Sequence, residues 1–297
     1  MEVTRYAHIR QAVEPLRNTE RTRLPGMGRL TPRTLEAIFD ESQQAMSRAV
    51  LREERRGLYI FAAHRRAGHV AGLWLECTEQ PRAGMIGRHD LVDLPLPLDE
   101  ALSLRHLMFI VRKVRDEVRT TVINLQTTGG LELESSQPVQ LVDANGFLAV
   151  TASEFAFFCV PTGGGVPWKP DSLDPWGSRT QQEPLRVEGL ARAARGATVV
   201  SVDLMDQGGP QRASFDEAAL NRGILIGRDE RCDLCSKQHT LSRVHAVLVN
   251  VDGRPFIVDS GSTNGIDREG TEVRIARLEG RQTFSLGQDV MLTCHPR

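Results

Sequence analysis

Between residues 30 and 56 the apolar positions recur at helical spacing. Leu35, Ile38, Phe39, Ser42, Met46, Ala49 and Val50 share one face of LTPRTLEAIFDESQQAMSRAVLREERRG, with charged residues on the other. Thr31 is placed to cap this helix, Pro32 to open its first turn and Gly57 to end it. Residues 1–56 therefore read as a helical segment. Such a stripe is expected to pack on the domain that follows, with a dimerisation or docking helix as the alternative. From Gly57 the pattern shortens. GLYIFAA, HVAGLWLEC, HLMFIVR, TTVINL and EFAFFCV are β-prone runs separated by turn residues, as in a sandwich or barrel. PTGGGVPWKPDSLDPWGSRTQQEP follows, dense in Gly, Pro and polar residues, and reads as a linker whose Trp168 and Trp176 could pack on a neighbour. After a short helix expected near 184–195, strand texture resumes with ATVVSVDL and continues to the end.

The two β-rich stretches repeat one another. GMIGRHDLVDL (84–94) aligns with ILIGRDERCDL (224–234), sharing Ile-Gly-Arg and a later Asp-Leu. LSLRHLMFIV (102–111) then matches LSRVHAVLVN (241–250), and VINLQTTGG (122–130) matches IVDSGSTNG (257–265). Three blocks in one order indicate an internal duplication. The expected division is a helical segment at 1–56, β-sandwiches at 57–162 and 197–297, and a linker with a short helix at 163–196.

Composition narrows the function. The chain has 297 residues, is 40% hydrophobic and 25% charged, and carries a formal net charge of -1. That is enough for two ordinary cores, without the positive excess of a duplex-binding protein. No apolar run approaches the roughly 20 residues of a membrane span, and the first residues lack the apolar stretch of a signal peptide. Five dispersed cysteines fit reduced thiols better than a disulfide framework. The expectation is a cytoplasmic protein with neither nucleic acid nor membrane as its partner.

Within the second repeat, Gly227-Arg228, then Ser242-Arg243-x-His245, then Ser262-Thr263-Asn264-Gly265 each follow or separate β-prone runs. Together, in this order, they resemble the forkhead-associated (FHA) domain, a phosphothreonine-reading module, over about residues 197–297. The resemblance implies a two-sheet β-sandwich with its ligand site on loops at one end. A phosphothreonine brings about -1.5 to -2 charges and three acceptor oxygens. Arg228 can meet two of those oxygens with one planar guanidinium. Ser242 and Thr263 offer hydroxyls, and Arg243 offers a backbone N–H and a second positive charge. Asn264 would hold the partner's main chain beside the phosphate. Gly227, His245 and Gly265 would support these loops, with His245 buried as a brace. Ser242 and His245 are then a grip and its support rather than a nucleophile and a base; neither an orienting acid nor an oxyanion hole accompanies them. The loop before Ser242, with Lys237, Gln238, His239 and Thr240, would help to set flanking preference.

The first repeat resembles a drifted FHA domain. It keeps Gly87-Arg88, Ser103, His106 and Thr128, but has Leu104 where the other copy has Arg243, and Gly129 in place of Asn264. Arg88, Ser103 and Thr128 thus form a candidate weaker second site, and Arg105, one position late, is expected to compensate partly for Leu104. Losing the amide would remove a hydrogen bond worth about 1–3 kcal/mol.

Other signals are weaker. Cys232-x-x-Cys235 with two nearby histidines invites zinc, but the second pair lacks knuckle spacing and His245 has another role. TGGGVP is followed by neither Gly-Lys-Ser/Thr nor a helix, so it is a hinge and not a phosphate loop. No metal, cofactor or catalysed reaction is expected. The chain reads as a mainly β adaptor with two FHA-like sandwiches behind a helical segment, its second copy binding a phosphothreonine protein made by a Ser/Thr kinase. The alternative is a phosphate-independent structural or oligomerising component, homo-oligomers included. A regulatory enzyme seated in the first 160 residues is a further rival, disfavoured because that half lacks an acid/base or cofactor set.

Overall fold

A computed structural model describes residues 33–68, 70–97, 100–125, 127, 130–133, 139–163 and 198–297. Thr31, Pro32, Thr128, Gly129, both linker tryptophans and the helix expected near 184–195 lie outside these.

The first helix, α1 (Leu35–Arg52), departs from expectation at both ends. Its cap is Thr34, not Thr31: the Thr34 hydroxyl accepts from the Ala37 N–H at 3.2 Å. The physical reason lies one residue earlier. Arg33 donates to the carbonyls of Arg65 and His64 at 2.8 and 2.9 Å and pairs with Glu41, which fixes the chain just ahead of an extended Thr34. Gly57 does not end the helix; Glu53 is the C-cap, and Gly57 already opens the first strand. Leu35, Ile38, Phe39, Ser42, Met46 and Val50 are buried, so the apolar stripe is where its periodicity placed it.

Among the described residues of the first half nine strands follow: β1 (Gly57–His64), β2 (Val70–Glu76), β3 (Arg82–Gly87), β4 (Leu94–Pro95), β5 (Leu107–Val114), β6 (Glu117–Asn124), β7 (Leu141–Asn145), β8 (Leu148–Ala152) and β9 (Phe155–Thr162). They make two sheets, ordered β2-β1-β9-β8 and β4-β3-β5-β6-β7. The second half begins with β10 (Thr198–Asp206), β11 (Gly209–Asp216) and a short α2 (Glu217–Arg222). It continues with β12 (Ile224–Gly227), β13 (Leu234–Cys235), β14 (Ala246–Val251), β15 (Arg254–Asp259), β16 (Ile266–Arg268), β17 (Thr271–Glu272), β18 (Ile275–Arg277), β19 (Gln282–Leu286) and β20 (Met291–Pro296). Its sheets run β11-β10-β20-β19-β16-β17 and β13-β12-β14-β15-β18. The protein is mainly β, with two-sheet sandwiches behind an N-terminal helix.

Alternation of side chains along the strands explains the layering. On β5, Leu107, Phe109 and Val111 enter a core shared with β1 and β9, while Met108 and Ile110 point the other way. On β14, Ala246 and Leu248 enter the second sandwich, while Val247, Val249 and Val251 point outward. Both outward sets are buried, because these two sheets pack on each other. Met85, Met108, Ile110 and Ile123 meet Leu225, Val247, Val249, Phe256 and Val258 in one apolar layer. Strands buried on both faces read as continuous apolar runs, as HLMFIVR does. The stack is therefore α1, two sheets, the apolar layer, and two more sheets, with Phe39 and Phe158 packed edge to face beneath the helix. At about 1.5–3 kcal/mol per large apolar side chain buried, the central layer compares with a domain core.

Charged residues frame that layer. Arg112 is buried, donating to Asp143 at 2.9 and 3.1 Å and across the halves to Asp252 at 2.8 Å. Asp252 and Gly253 turn the β14–β15 hairpin with φ of 51° and 73°, as a two-residue Asp-Gly turn requires. Arg274 bridges Asp259, at 3.1 Å, to Asp93 of the other half. Among the described residues no helix is long and apolar enough to cross a membrane.

Candidate functional site

The loops after β12, before β14 and after β15 meet at one end of the second sandwich. β12 brings Gly227 so close to the next loop that a Cβ there would lie 2.2 Å from the Arg243 carbonyl oxygen; only glycine fits. This approach lets the Arg228 N–H donate to the Ser242 carbonyl and the Asp229 N–H to that of Arg243, both at 3.1 Å. The Arg228 and Arg243 side chains are exposed, and neither guanidinium has a hydrogen-bond or ion partner among the described residues.

Ser242 is buried at the centre. Its hydroxyl oxygen accepts from the Thr263 N–H at 3.0 Å and lies 3.4 Å from the Thr263 hydroxyl. Either of the Ser242 and Thr263 hydroxyls can be the donor in that contact, so the pair offers both O–H and acceptor capacity at this end of the sandwich. His245 is fully buried beneath it. Nδ1 accepts from the Ser242 N–H at 3.2 Å, so Nε2 carries the proton and donates to the Gly265 carbonyl at 2.9 Å. The imidazole thus ties together the two loops that carry Ser242 and Thr263. Burial pushes its pKa below the ordinary value, against the pull of the Gly265 carbonyl, which matches the neutral ring these contacts need. Asn264 donates its amide to the Thr240 carbonyl at 2.7 Å, closing the third side of the loop cluster, and Gly265 turns with φ of 70°.

All eight residues expected in and around this site, Gly227, Arg228, Ser242, Arg243, His245, Thr263, Asn264 and Gly265, come together. Four supports were missed. Asp233 accepts the Leu225 N–H at 2.8 Å, and its repeat equivalent Asp93 accepts the Met85 N–H at 2.6 Å; the duplicated Asp-Leu was the available signal. Asp259 caps the Ser262 N–H at 3.0 Å, and Ser260 donates to the Val244 carbonyl at 2.7 Å.

The first half repeats the backbone contacts and the histidine brace of this framework. Arg88 and His89 donate to the carbonyls of Ser103 and Leu104 at 3.0 and 3.1 Å, and a Cβ on Gly87 would lie 2.3 Å from the Leu104 oxygen. His106 Nδ1 accepts from the Ser103 N–H at 3.0 Å, and Nε2 lies 3.0 Å from the Gly130 carbonyl. Arg88 and Ser103 are thus juxtaposed, whereas Thr128 is outside the described residues. The role expected of Arg105 is corrected. It is only 7% exposed and reaches into the other half. Its Nε donates to the Ser260 carbonyl at 2.7 Å and Nη2 to that of Gly261 at 2.6 Å. Arg105 therefore holds the strand end that leads into Thr263 and Asn264.

The cysteine pair is engaged locally. Cys232 is buried, donates to the Arg243 carbonyl at 3.2 Å, and has its thiol pKa pushed up to about 12 mainly by burial. Cys235 lies on β13 with its sulfur 3.8 Å from the Arg228 carbonyl. All five cysteines are free.

Residues 224–287 match the family model of the FHA domain. No curated protein matches the chain. Among solved structures it is similar to the Rv1747 FHA-1 domain of Mycobacterium tuberculosis (20% identity, 33% of this chain and 97% of that one, TM-score 0.28). It is also similar to the Slr1951 protein of Synechocystis sp. (26%, 34% and 97%, 0.30). A third similar structure is the FHA domain of the CT664 protein of Chlamydia trachomatis (20%, 34% and 99%, 0.30).

Proposed function

From the premise that residues 224–287 are an FHA domain, we propose that the chain is an adaptor whose second sandwich binds a phosphothreonine-containing protein. One observation carries this: the exposed Arg228 guanidinium has no hydrogen-bond or ion partner among the described residues, while its backbone N–H is tied to the Ser242 loop, where the Ser242 oxygen accepts the Thr263 N–H. A dianionic phosphate fits a fork-shaped cation carried next to two hydroxyl-bearing loops, and a neutral side chain would leave the cation unmatched. A Ser/Thr kinase acting upstream makes binding conditional on modification. The reading includes a tandem arrangement, with sandwiches at 57–162 and 197–297 joined by 163–196. A cytoplasmic setting belongs to it too, in keeping with the free thiols. The chain's role here is recognition; the matched family is an interaction module, and no catalytic family is indicated.

The test is binding of the full chain to a phosphothreonine peptide library with unmodified copies, for the native chain and Arg228→Ala. Phosphate-dependent binding that the substitution abolishes supports the adaptor. The central apolar layer favours a second reading, a phosphate-independent structural part, because it welds the halves into one body. Binding indifferent to phosphate and to Arg228 would select that reading.

A further inference from the structure

The two recognition ends lie side by side, and a cleft of about 320 Å³ opens between them. Arg88, Ser103 and Leu104 of the first half form one wall; Asp229, Arg231 and Arg243 of the second form the other. Its charges sort into committed and free. Arg231 is held by Asp229 through two contacts at 3.0 and 3.1 Å, a pairing that keeps the Asp229 carboxyl down at about 2. Arg105, at the back, is committed to the Ser260 and Gly261 carbonyls. Arg88 and Arg243 remain, one from each half; neither guanidinium is hydrogen-bonded or ion-paired among the described residues, and Arg243 acts on Asp229 only through space. Arg88 Nε is moreover buried without an acceptor, a state that native structures rarely leave unanswered. The Ser103 hydroxyl beside it has no hydrogen-bond partner among the described residues either.

We propose that this cleft is a composite second anion site, which takes a second phosphoryl group of the partner held at Arg228. The inference rests on the phosphothreonine reading of the second sandwich. Neither half makes the site alone. The first half supplies Arg88 and Ser103 but has the uncharged Leu104 at the position matching Arg243; the second half returns that missing cation across the cleft. Two guanidinia on opposite walls match a phosphoryl group, whose oxygens are spread tetrahedrally, better than one flat carboxylate. Arg243 couples the two sites, since its backbone belongs to the Arg228 loop cluster and its side chain to the cleft. The volume lies in the range of sites that enclose a ligand group together with its neighbours. Glu100 and Asp229 also line the cleft and oppose an anion there, but Arg88, Arg105, Arg231 and Arg243 leave its balance of charge positive.

The experiment uses the full chain and a peptide with one phosphothreonine that binds it. A second phosphothreonine is placed at each position up to about ten residues on either side, and affinities are read by calorimetry. At one spacing the doubly phosphorylated peptide binds about tenfold or more tighter than the single one, by the effective-concentration argument for linked sites. Arg88→Gln returns that ratio to about one, while Arg228→Gln weakens both peptides. The assignment is overturned if no spacing shows a gain, if the gain survives Arg88→Gln, or if glutamate at the second position gives the same gain. Should no singly phosphorylated peptide bind, the reading of the Arg228 site fails and the cleft is tested by itself. Inorganic phosphate is then titrated into Arg228→Gln: saturable binding removed by adding Arg88→Gln supports the cleft, and its absence sinks it.

Discussion

Replacing Arg105 should loosen the recognition loop without touching any ligand. The side chain is 7% exposed and spends two donors on consecutive carbonyls, Ser260 at 2.7 Å and Gly261 at 2.6 Å. Each hydrogen bond from a charged donor contributes about 1.5–3 kcal/mol, a gross 3–6 kcal/mol for the pair. Against this stands the desolvation of the guanidinium, visible as a pKa pushed down by burial and partly restored by Asp259. Arg105→Met keeps the apolar stem and the volume, so cavity formation is a minor part of the change. It relieves the desolvation but strands both carbonyls, and Ser260 is wholly buried. The net expectation is a loss of about 2–4 kcal/mol in unfolding free energy.

The same carbonyls belong to the segment that delivers Thr263 to Ser242, so binding should weaken as well. At a temperature where the variant is fully folded, phosphothreonine-peptide affinity should fall about tenfold, the worth of one hydrogen bond of ~1.4 kcal/mol. Arg105→Lys, with its charge kept but its fork lost, should fall between the two. Urea titrations and calorimetry on the same preparations read both effects. A methionine variant within 0.5 kcal/mol of the native chain, with unchanged affinity, would show the loop to be self-supporting and refute the reasoning.

Further expectations follow from individual contacts. Gly227→Ala puts a Cβ 2.2 Å from a backbone oxygen, so it should cost about 1–3 kcal/mol by denaturant titration and abolish phosphopeptide binding. His245 has its pKa lowered in the fold, so below about pH 6.5 the unfolded chain takes up a proton that the folded chain refuses. Its contribution is therefore complete above that pH and fades as pH falls towards the folded value. Urea midpoints between pH 7.5 and 5 should drop, and His245→Gln should flatten the slope. Val249→Lys places a charge in the apolar layer between the halves and should destabilise by at least the roughly 1.5–3 kcal/mol of a lost apolar side chain; a change below 0.5 kcal/mol would show that layer to be open to water.

What the sequence made legible was whatever recurs within it. The helix stripe has a period, the strands have alternation, and the site motifs occur twice in one order. The packing of the halves has none of these marks, because a strand buried on both faces and a strand in a single thick core look alike along the chain. Helix ends were misplaced for a related reason: Thr31 and Thr34 are equally good caps in isolation, and the choice is made by Arg33 reaching carbonyls 31 and 32 residues away.

The same limit explains Arg105, and the explanation bears on why the copies differ. The second copy reads Arg243-Val244, with the arginine exposed and the valine packed against the central apolar layer. The first copy reads Leu104-Arg105, the same two kinds of side chain in reverse order. With that inversion the first copy has a leucine where the other has its exposed arginine, and its own arginine is spent on the Ser260 and Gly261 carbonyls. Along the chain it looks like a one-residue slip of a phosphate ligand. In space Arg105 is a structural clamp on the loop of the other half that leads into Thr263 and Asn264. The loop that carries Thr263 and Asn264 is thus held by a residue of the other half, so under the proposed reading the second half's site depends on the first half being present.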